Sequence, residues 1–349
     1  MEERAGVAAG TTTERFGYSG NASEYFRIWI VSLCLTVITL GVYSAWAKVR
    51  KRRYLYRSTR LAGAGFDYHA NPVVILRGRL IAVGMLAVYA AAGYFAPGAE
   101  TLLGLAFLAA LPWLIVRARM FNARNTSYRN LRFRFDPVYG EAYKVIVGWN
   151  MLATLTLGLL YPYAHFRRSA LIVSNTHYGN LDLRLGQIAR GFYATYLRTS
   201  ALVLIALIGA GVGSLLVPAR PDGAAEPAWS VLAFAPPAFA VVLIGIAAAW
   251  LGPAILRLTL GHTVVGEHTV NCDWSIPRIV FINVTNFIAV ALTLGLAIPW
   301  ATIRLQRYQF EHLSIDIRGD IESVVATQAD EVSALGEEIG ELFDVDIGL

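Results

Sequence analysis

The run YFRIWIVSLCLTVITLGVYSAWAKVRKRRYLYRSTR, residues 25–60, opens with about twenty mostly apolar residues ending at Thr39, Leu40 and Gly41. Trp46 and the bases Lys48, Arg50, Lys51, Arg52 and Arg53 follow. An apolar segment closed by an aromatic residue and a basic run reads as one that ends at a membrane surface. The same words return as Thr156, Leu157, Gly158, Pro162, Tyr163, Ala164, Arg167, and again as Thr293, Leu294, Gly295, Pro299, Trp300, Ala301, Arg304. Self-similarity of this kind is read unit by unit, and here it predicts two and a half internal repeats.

Composition agrees with a membrane location. Of 349 residues 56% are hydrophobic and 15% charged, with a mean hydropathy of +0.50, against about 25% charged in soluble domains. Nine acids from Asp320 to Asp346 set −9 against +15 for the preceding body, which makes the net +6. A basic body suits loops beside anionic lipid and does not by itself imply nucleic acid. Cys34 and Cys272 share no metal spacing, so both read as inert thiols.

Two apolar stretches, 80–95 and 101–116, form a predicted membrane hairpin with Arg77, Arg79, Arg117 and Arg119 at its near ends. The positive-inside bias puts those ends in the cytoplasm. A second hairpin is predicted from 192–217 and 229–256, and single segments from 145–163 and 279–303. After each membrane exit comes a two-period stretch that reads as a strand, as in Leu131, Phe133, Phe135 and in Leu313, Ile315, Ile317. If segments one, four and seven span, the strand regions divide between the two sides. If those segments re-enter, bent at Thr-Leu-Gly, all strand regions share the cytoplasmic side. The expected fold is an all-α polytopic membrane body with short amphipathic strands between its segments. Its divisions are an N-terminal extension 1–24, repeats 25–138 and 139–276, a half repeat 277–318 and an acidic tail 319–349.

With these words assembled, the chain resembles the YjgN family, a domain of unknown function found in bacterial inner membranes. The run Glu24, Tyr25, Phe26, Thr39, Leu40, Gly41, Tyr43, Ser44, Trp46, Ala47, Lys48, Arg50 carries the resemblance. It implies a multi-pass inner-membrane location and supplies no activity, cofactor or catalytic residue. Ala45 departs from the proline expected by comparison with Pro162 and Pro299.

Candidate functional residues follow from chemistry. Lys48, Arg50, Lys51, Arg52 and Arg53 are candidate contacts for anionic lipid, each base near the surface being worth about 1 kcal/mol. Gly41, Gly158 and Gly295 are expected bends, and Trp46, Tyr163 and Trp300 expected interfacial anchors. The six histidines lack metal-site spacing, so no metal or cofactor is expected. No Asp or Glu lies inside an apolar segment, which removes the parts of a carboxylate proton relay and argues against an intramembrane enzyme. The leading expectation is a non-enzymatic protein, transporter-like or lipid-contacting, with membrane lipids as partners and no nucleic acid. The alternative is a scaffold that recruits a protein partner through its cytoplasmic strands and acidic tail.

Overall fold

The computed structural model describes residues 11–96, 98–217 and 226–318, the side chains of 226–230 excepted. The acidic tail, its expected docking helix and the second hairpin's outer turn at 218–225 lie outside the described residues.

The order strand, helix, helix, strand occurs five times along the chain. The first unit is β1 (Thr11–Tyr18), α1 (Ala22–Ile38), α2 (Ser44–Arg57) and β2 (Thr59–Leu61). Next come β3 (Ala64–Tyr68), α3 (Pro72–Phe95), α4 (Ala99–Arg124) and β4 (Thr126–Tyr128). The third unit starts with β5 (Leu131–Phe135) and α5 (Tyr139–Tyr143), which passes through a π-helical turn, Lys144–Gly148, into α6 (Trp149–Leu155). It returns through α7 (Tyr161–Ser174) to β6 (Thr176–Tyr178). The fourth has β7 (Leu181–Leu185), α8 (Ala189–Leu216), α9 (Glu226–Leu260) and β8 (Thr263–Val265), and the fifth β9 (His268–Cys272), α10 (Ile276–Leu292), α11 (Ile298–Glu311) and β10 (Leu313–Arg318).

The expectation of an all-α body is overturned. The ten strands of the described residues close into one antiparallel barrel in the order β1-β10-β9-β8-β7-β6-β5-β4-β3-β2. Nine of the ten have three to six residues; strands that short cannot bury an apolar face in isolated pairs, and closure both buries that face and removes every edge. The ring closes where Thr11–Arg15 of β1 pairs with Ser314–Arg318 of β10. The segment drawn from the sequence as an N-terminal extension therefore supplies a barrel strand.

Local chemistry fixes which end of the barrel does what. Two-residue turns join β2 to β3, β4 to β5, β6 to β7 and β8 to β9. Ala62 and Gly63, like Arg129 and Asn130, all have positive φ, and Gly179 and Gly266 each begin a turn with φ of +58°. These are the mirror-image turns whose twist matches paired strands. They gather at one end of the barrel, and every helix leaves from the other. At that helical end the residue closing each incoming helix donates a side-chain hydrogen bond to the carbonyl four residues back. Ser58, Asn125, Asn175, His262 and His312 do so at 2.7–2.9 Å, satisfying a carbonyl that the helix end leaves unpaired.

The helices form two classes of hairpin. Units one, three and five have an outgoing arm of 17 residues, α1, Tyr139–Leu155 or α10, and a return arm of 14, α2, α7 or α11. Units two and four have arms of 24, 26, 28 and 35 residues, and all four arms are long and apolar enough to cross a membrane.

Candidate functional site

Inward-pointing strand residues and the last turns of the return helices line a cavity of about 690 Å³ in the barrel, which extends from the helix ends to turn-end residues such as Val265 and His268. Its wall is mostly apolar: Phe133, Phe135, Leu183, Val265, Val270, Ile315 and Ile317 from the strands, with Leu55, Ile172 and Phe310 from α2, α7 and α11. The alternation predicted for β5, β7, β9 and β10 puts these side chains inside, because successive strand residues point to opposite faces. Toward the turn end, Leu61, Tyr128, Leu131 and Tyr178 pack with Phe16 and Phe66 into a buried cluster. Tyr128 Oη donates to the Leu61 carbonyl at 2.9 Å and Tyr178 Oη to the Tyr128 carbonyl at 3.1 Å, so these phenols are satisfied. Burial pushes both up, and they stay neutral.

Arg119, Asn122 and Gln306 bring polar groups to the cavity wall near the helices. Among the described residues Arg119 makes no ion pair. Asn122 accepts from Arg52 Nη1, which also donates to Tyr68 Oη at 2.9 Å, and the Arg52 Cζ lies 5.2 Å from the Tyr68 ring centroid. Arg53 Nε donates to the Tyr68 carbonyl at 3.3 Å. Part of the basic run is thus committed to the barrel, whereas Lys48, Arg50 and Lys51 are exposed on α2. Although its side chain reaches solvent, partial desolvation, with Arg52 and Arg79 nearby, pushes Lys48 down.

Gly41, Gly158 and Gly295 lie at the three short-hairpin tips with φ of +93°, +88° and +94°, values natural only to glycine. The preceding leucines Leu40, Leu157 and Leu294 take φ near +50° and are 95%, 96% and 94% exposed. One threonine ties each tip together. Thr39 Oγ1 donates to the Leu35 carbonyl at 2.7 Å and accepts from Tyr43 N–H at 2.9 Å, and Thr156 and Thr293 repeat both bonds. Of the expected anchors, Trp46 stacks on Tyr43 at 6.0 Å and Tyr163 meets Trp149 edge-on at 4.6 Å. Trp300 is 44% exposed beneath the Arg304 guanidinium.

The histidines do not converge. His262 and His312 close helices, His69 bonds Ser127, His165 bonds Tyr196, and His177 sits between Asp136 and Asp182. His268 Nδ1 accepts the Arg318 N–H at 3.1 Å. Among the described residues no three His, Cys, Asp or Glu side chains are grouped to hold a metal. Burial pushes the Cys272 thiol up to about 11, so it stays protonated.

Sequence reasoning missed the cavity as a site. Its wall was legible as strand faces, but nothing local told that those faces turn toward one another around a space.

No solved structure matches this chain. Among curated proteins it is similar to "Inner membrane protein YjgN" of Salmonella typhimurium, 30% identical over 138 residues, which are 39% of this chain and 33% of that protein. The protein of the same name from Escherichia coli O157:H7 is 30% identical over 122 residues, 35% of this chain and 31% of the relative. The matched part is about a third of the length of these relatives. Residues 13–342 match the family described as Bacterial protein of unknown function (DUF898). This chain belongs to that family and, with four membrane-capable helices and inner-membrane relatives, is a multi-pass protein of the bacterial inner membrane.

Proposed function

We propose that this protein is a non-enzymatic, lipid-contacting membrane protein whose barrel receives the apolar chain of an amphiphile. The carrying observation is the apolar cavity of about 690 Å³ bounded by helix ends, with Arg119 in its wall. Its size falls within the roughly 300–1,000 Å³ of small-molecule sites, and its wall suits hydrocarbon while Arg119 suits an anionic head. The packing of Phe16, Phe66, Tyr128 and Tyr178 narrows the barrel toward the turn end, which favours reception over passage, so the lipid-contacting reading stands ahead of a transporter-like one.

Membrane placement supports the same reading. Bases mark the near ends of both long hairpins, Arg77, Arg79 and Arg117 on one and Arg190, Arg198 and Arg257 on the other, which orients the barrel toward the cytoplasm. The short hairpins then re-enter from that side. Lys48 follows Gly41 by seven residues, and Arg167 and Arg304 follow Gly158 and Gly295 by nine. At 1.5 Å per residue the tips reach only about 10–14 Å past these bases, in a hydrocarbon layer of roughly 30 Å. Lys48, Arg50 and Lys51 are left at headgroup level.

A scaffold reading comes second, because the outer wall at β5, β6 and β7 answers its own charges. Arg134 pairs with Asp136 at 3.4 Å, Arg184 with Asp182 at 3.8 Å, and His177 bridges both acids.

Replacing Leu183 and Val270 with Trp fills the cavity from two strands. Native mass spectrometry of purified, delipidated protein titrated with a lysophospholipid is expected to show one bound molecule that the Trp variant loses while keeping its melting temperature. Equal uptake by both proteins, or none by the unmodified one, overturns the reading.

A further inference from the structure

A second pocket, of about 770 Å³ and mostly polar, lies outside the barrel where α8, α9 and the start of α10 meet the outer faces of β1, β9 and β10. Its charged groups are Arg15, Arg198, Arg257, His262, Asp273 and Asp316. Asp316 is already engaged, accepting from Thr13 Oγ1 at 2.7 Å and Asn271 Nδ2 at 2.6 Å. His262 is engaged too, its Nδ1–H given to the Leu258 carbonyl. The three arginines have no acid partner among the described residues. Asp316 keeps its negative charge, since both of its donors are neutral, so two carboxylates, Asp273 and Asp316, face three guanidinium groups and the groove keeps a net excess of one positive charge.

Depth identifies the ligand class. Arg198 lies nine residues into α8, and Trp250 ten residues before the end of α9, so both sit about 14–15 Å from the barrel by helical rise. A Trp and an Arg at one level on paired membrane-crossing arms mark the water–lipid boundary. The groove therefore offers guanidinium donors from that boundary, at Arg198, to its water side, at Arg257 about 4–5 Å from the barrel by the same rise, a span that takes in phospholipid phosphates, with Trp250, Ala254 and Ile276 as an apolar flank. Guanidinium is the side chain whose fork matches phosphate oxygens.

We propose that this groove binds a phosphate-bearing headgroup, that of an anionic phospholipid in the surrounding leaflet, with Arg198 and Arg257 as its cationic ligands. The barrel cavity plays no part in this site, so the two proposals fail independently.

The full chain carrying Leu183→Trp and Val270→Trp removes the cavity's contribution. In that background native mass spectrometry follows binding of phosphatidylglycerol, phosphatidylcholine and inorganic phosphate. The expected result is a preference for phosphatidylglycerol that Arg198→Gln/Arg257→Gln lowers at least tenfold and Arg198→Lys/Arg257→Lys lowers less. Excess inorganic phosphate leaving the lipid bound assigns the site to the lipid. Displacement by inorganic phosphate keeps the phosphate site but reassigns it to a soluble ligand. Unchanged phosphatidylglycerol affinity in the Gln pair, or in the Lys pair an affinity as low as in a Gln pair that no longer melts cooperatively, overturns the proposal.

Discussion

The two long hairpins and the three short ones leave the same end of the same barrel and differ in how far their apolar surface extends past the last base. In the long class about 24–27 Å of helix separates Arg79 from Phe95, Ala99 from Arg117, or Arg198 from Leu216, enough with their turns for the hydrocarbon layer. In the short class the bases return within 14 Å or so of the tip, by the same rise. The tips differ as well. Gly98 starts α4 in the outer turn, with the Glu100 carboxylate accepting its N–H at 2.9 Å, a polar turn suited to water. Leu40, Leu157 and Leu294 instead stand almost fully exposed on backbone that costs a non-glycine residue about 1–3 kcal/mol. Moving a leucine side chain out of water returns about 1.5–3 kcal/mol, so the strain is offset only if lipid covers the tip. Hairpin length and tip chemistry thus support the proposed placement, in which the long hairpins cross and the short ones dip.

The sharpest way to break this comparison is side-specific labelling. With Cys34 and Cys272 replaced by Ser, an impermeant thiol reagent outside the cytoplasmic membrane is expected to label Thr101→Cys and leave Leu157→Cys untouched. Labelling of both would make the short hairpins span. Charge at the tips is expected to have the next largest effect. Leu157→Asp should destabilise the protein in nanodiscs by about 1–3 kcal/mol, against less than about 0.5 kcal/mol for Thr101→Asp at a watery turn; equal shifts in melting temperature would erase the distinction.

A glycine pair should differ in sign. Gly158→Ala puts a Cβ on left-handed backbone and should cost about 1–2 kcal/mol, whereas Gly84→Ala, in the α3 interior with open space around it, should gain up to about 1 kcal/mol. Chemical denaturation of both variants in detergent measures the two signs.

The smallest expected effect belongs to the shared barrel. Burial pushes His268 down, Glu267 opposing and Arg318 reinforcing, and the neutral ring accepts the Arg318 N–H. Because the folded value lies below the unfolded value of roughly 6.5, the unfolded chain takes up the proton first. This contribution is present above that pH and is lost as pH falls from there toward the folded value. Melting temperature should drop on acidification below about pH 6.5, and His268→Gln should flatten the slope. An identical slope in the variant would place the titration elsewhere.

The short-hairpin tips were legible because each is one contiguous word whose Thr, Leu and Gly have separate backbone duties. Five-residue strands such as Leu131–Phe135 and Leu181–Leu185 were legible by alternation. Their partners were not, since Thr126–Tyr128 and Thr176–Tyr178 span three residues, too few to show a period of two. Closure was hidden for a different reason. Phe16 opposes Leu61 and Thr12 opposes Ile317, and no local pattern in a threonine-rich stretch announces a partner 305 positions away in the register. The basic run was half legible: its charge was plain, but the turn of α2 that aims Arg52 and Arg53 at Tyr68 depends on where β3 lands.

The pairing of β1 with β10 also sets an order of events during synthesis. Thr11–Tyr18 leaves the ribosome early, while its outer neighbour, Leu313–Arg318, comes roughly 15–60 s later at 5–20 residues per second. Over that interval all five helical hairpins are made and the partial sheet carries two open edges, the surfaces most prone to wrong pairing. Each unit pairs its own two strands beside the membrane, so the growing sheet is held to the lipid surface throughout, and the closing step becomes the meeting of two tethered edges rather than a search through solution.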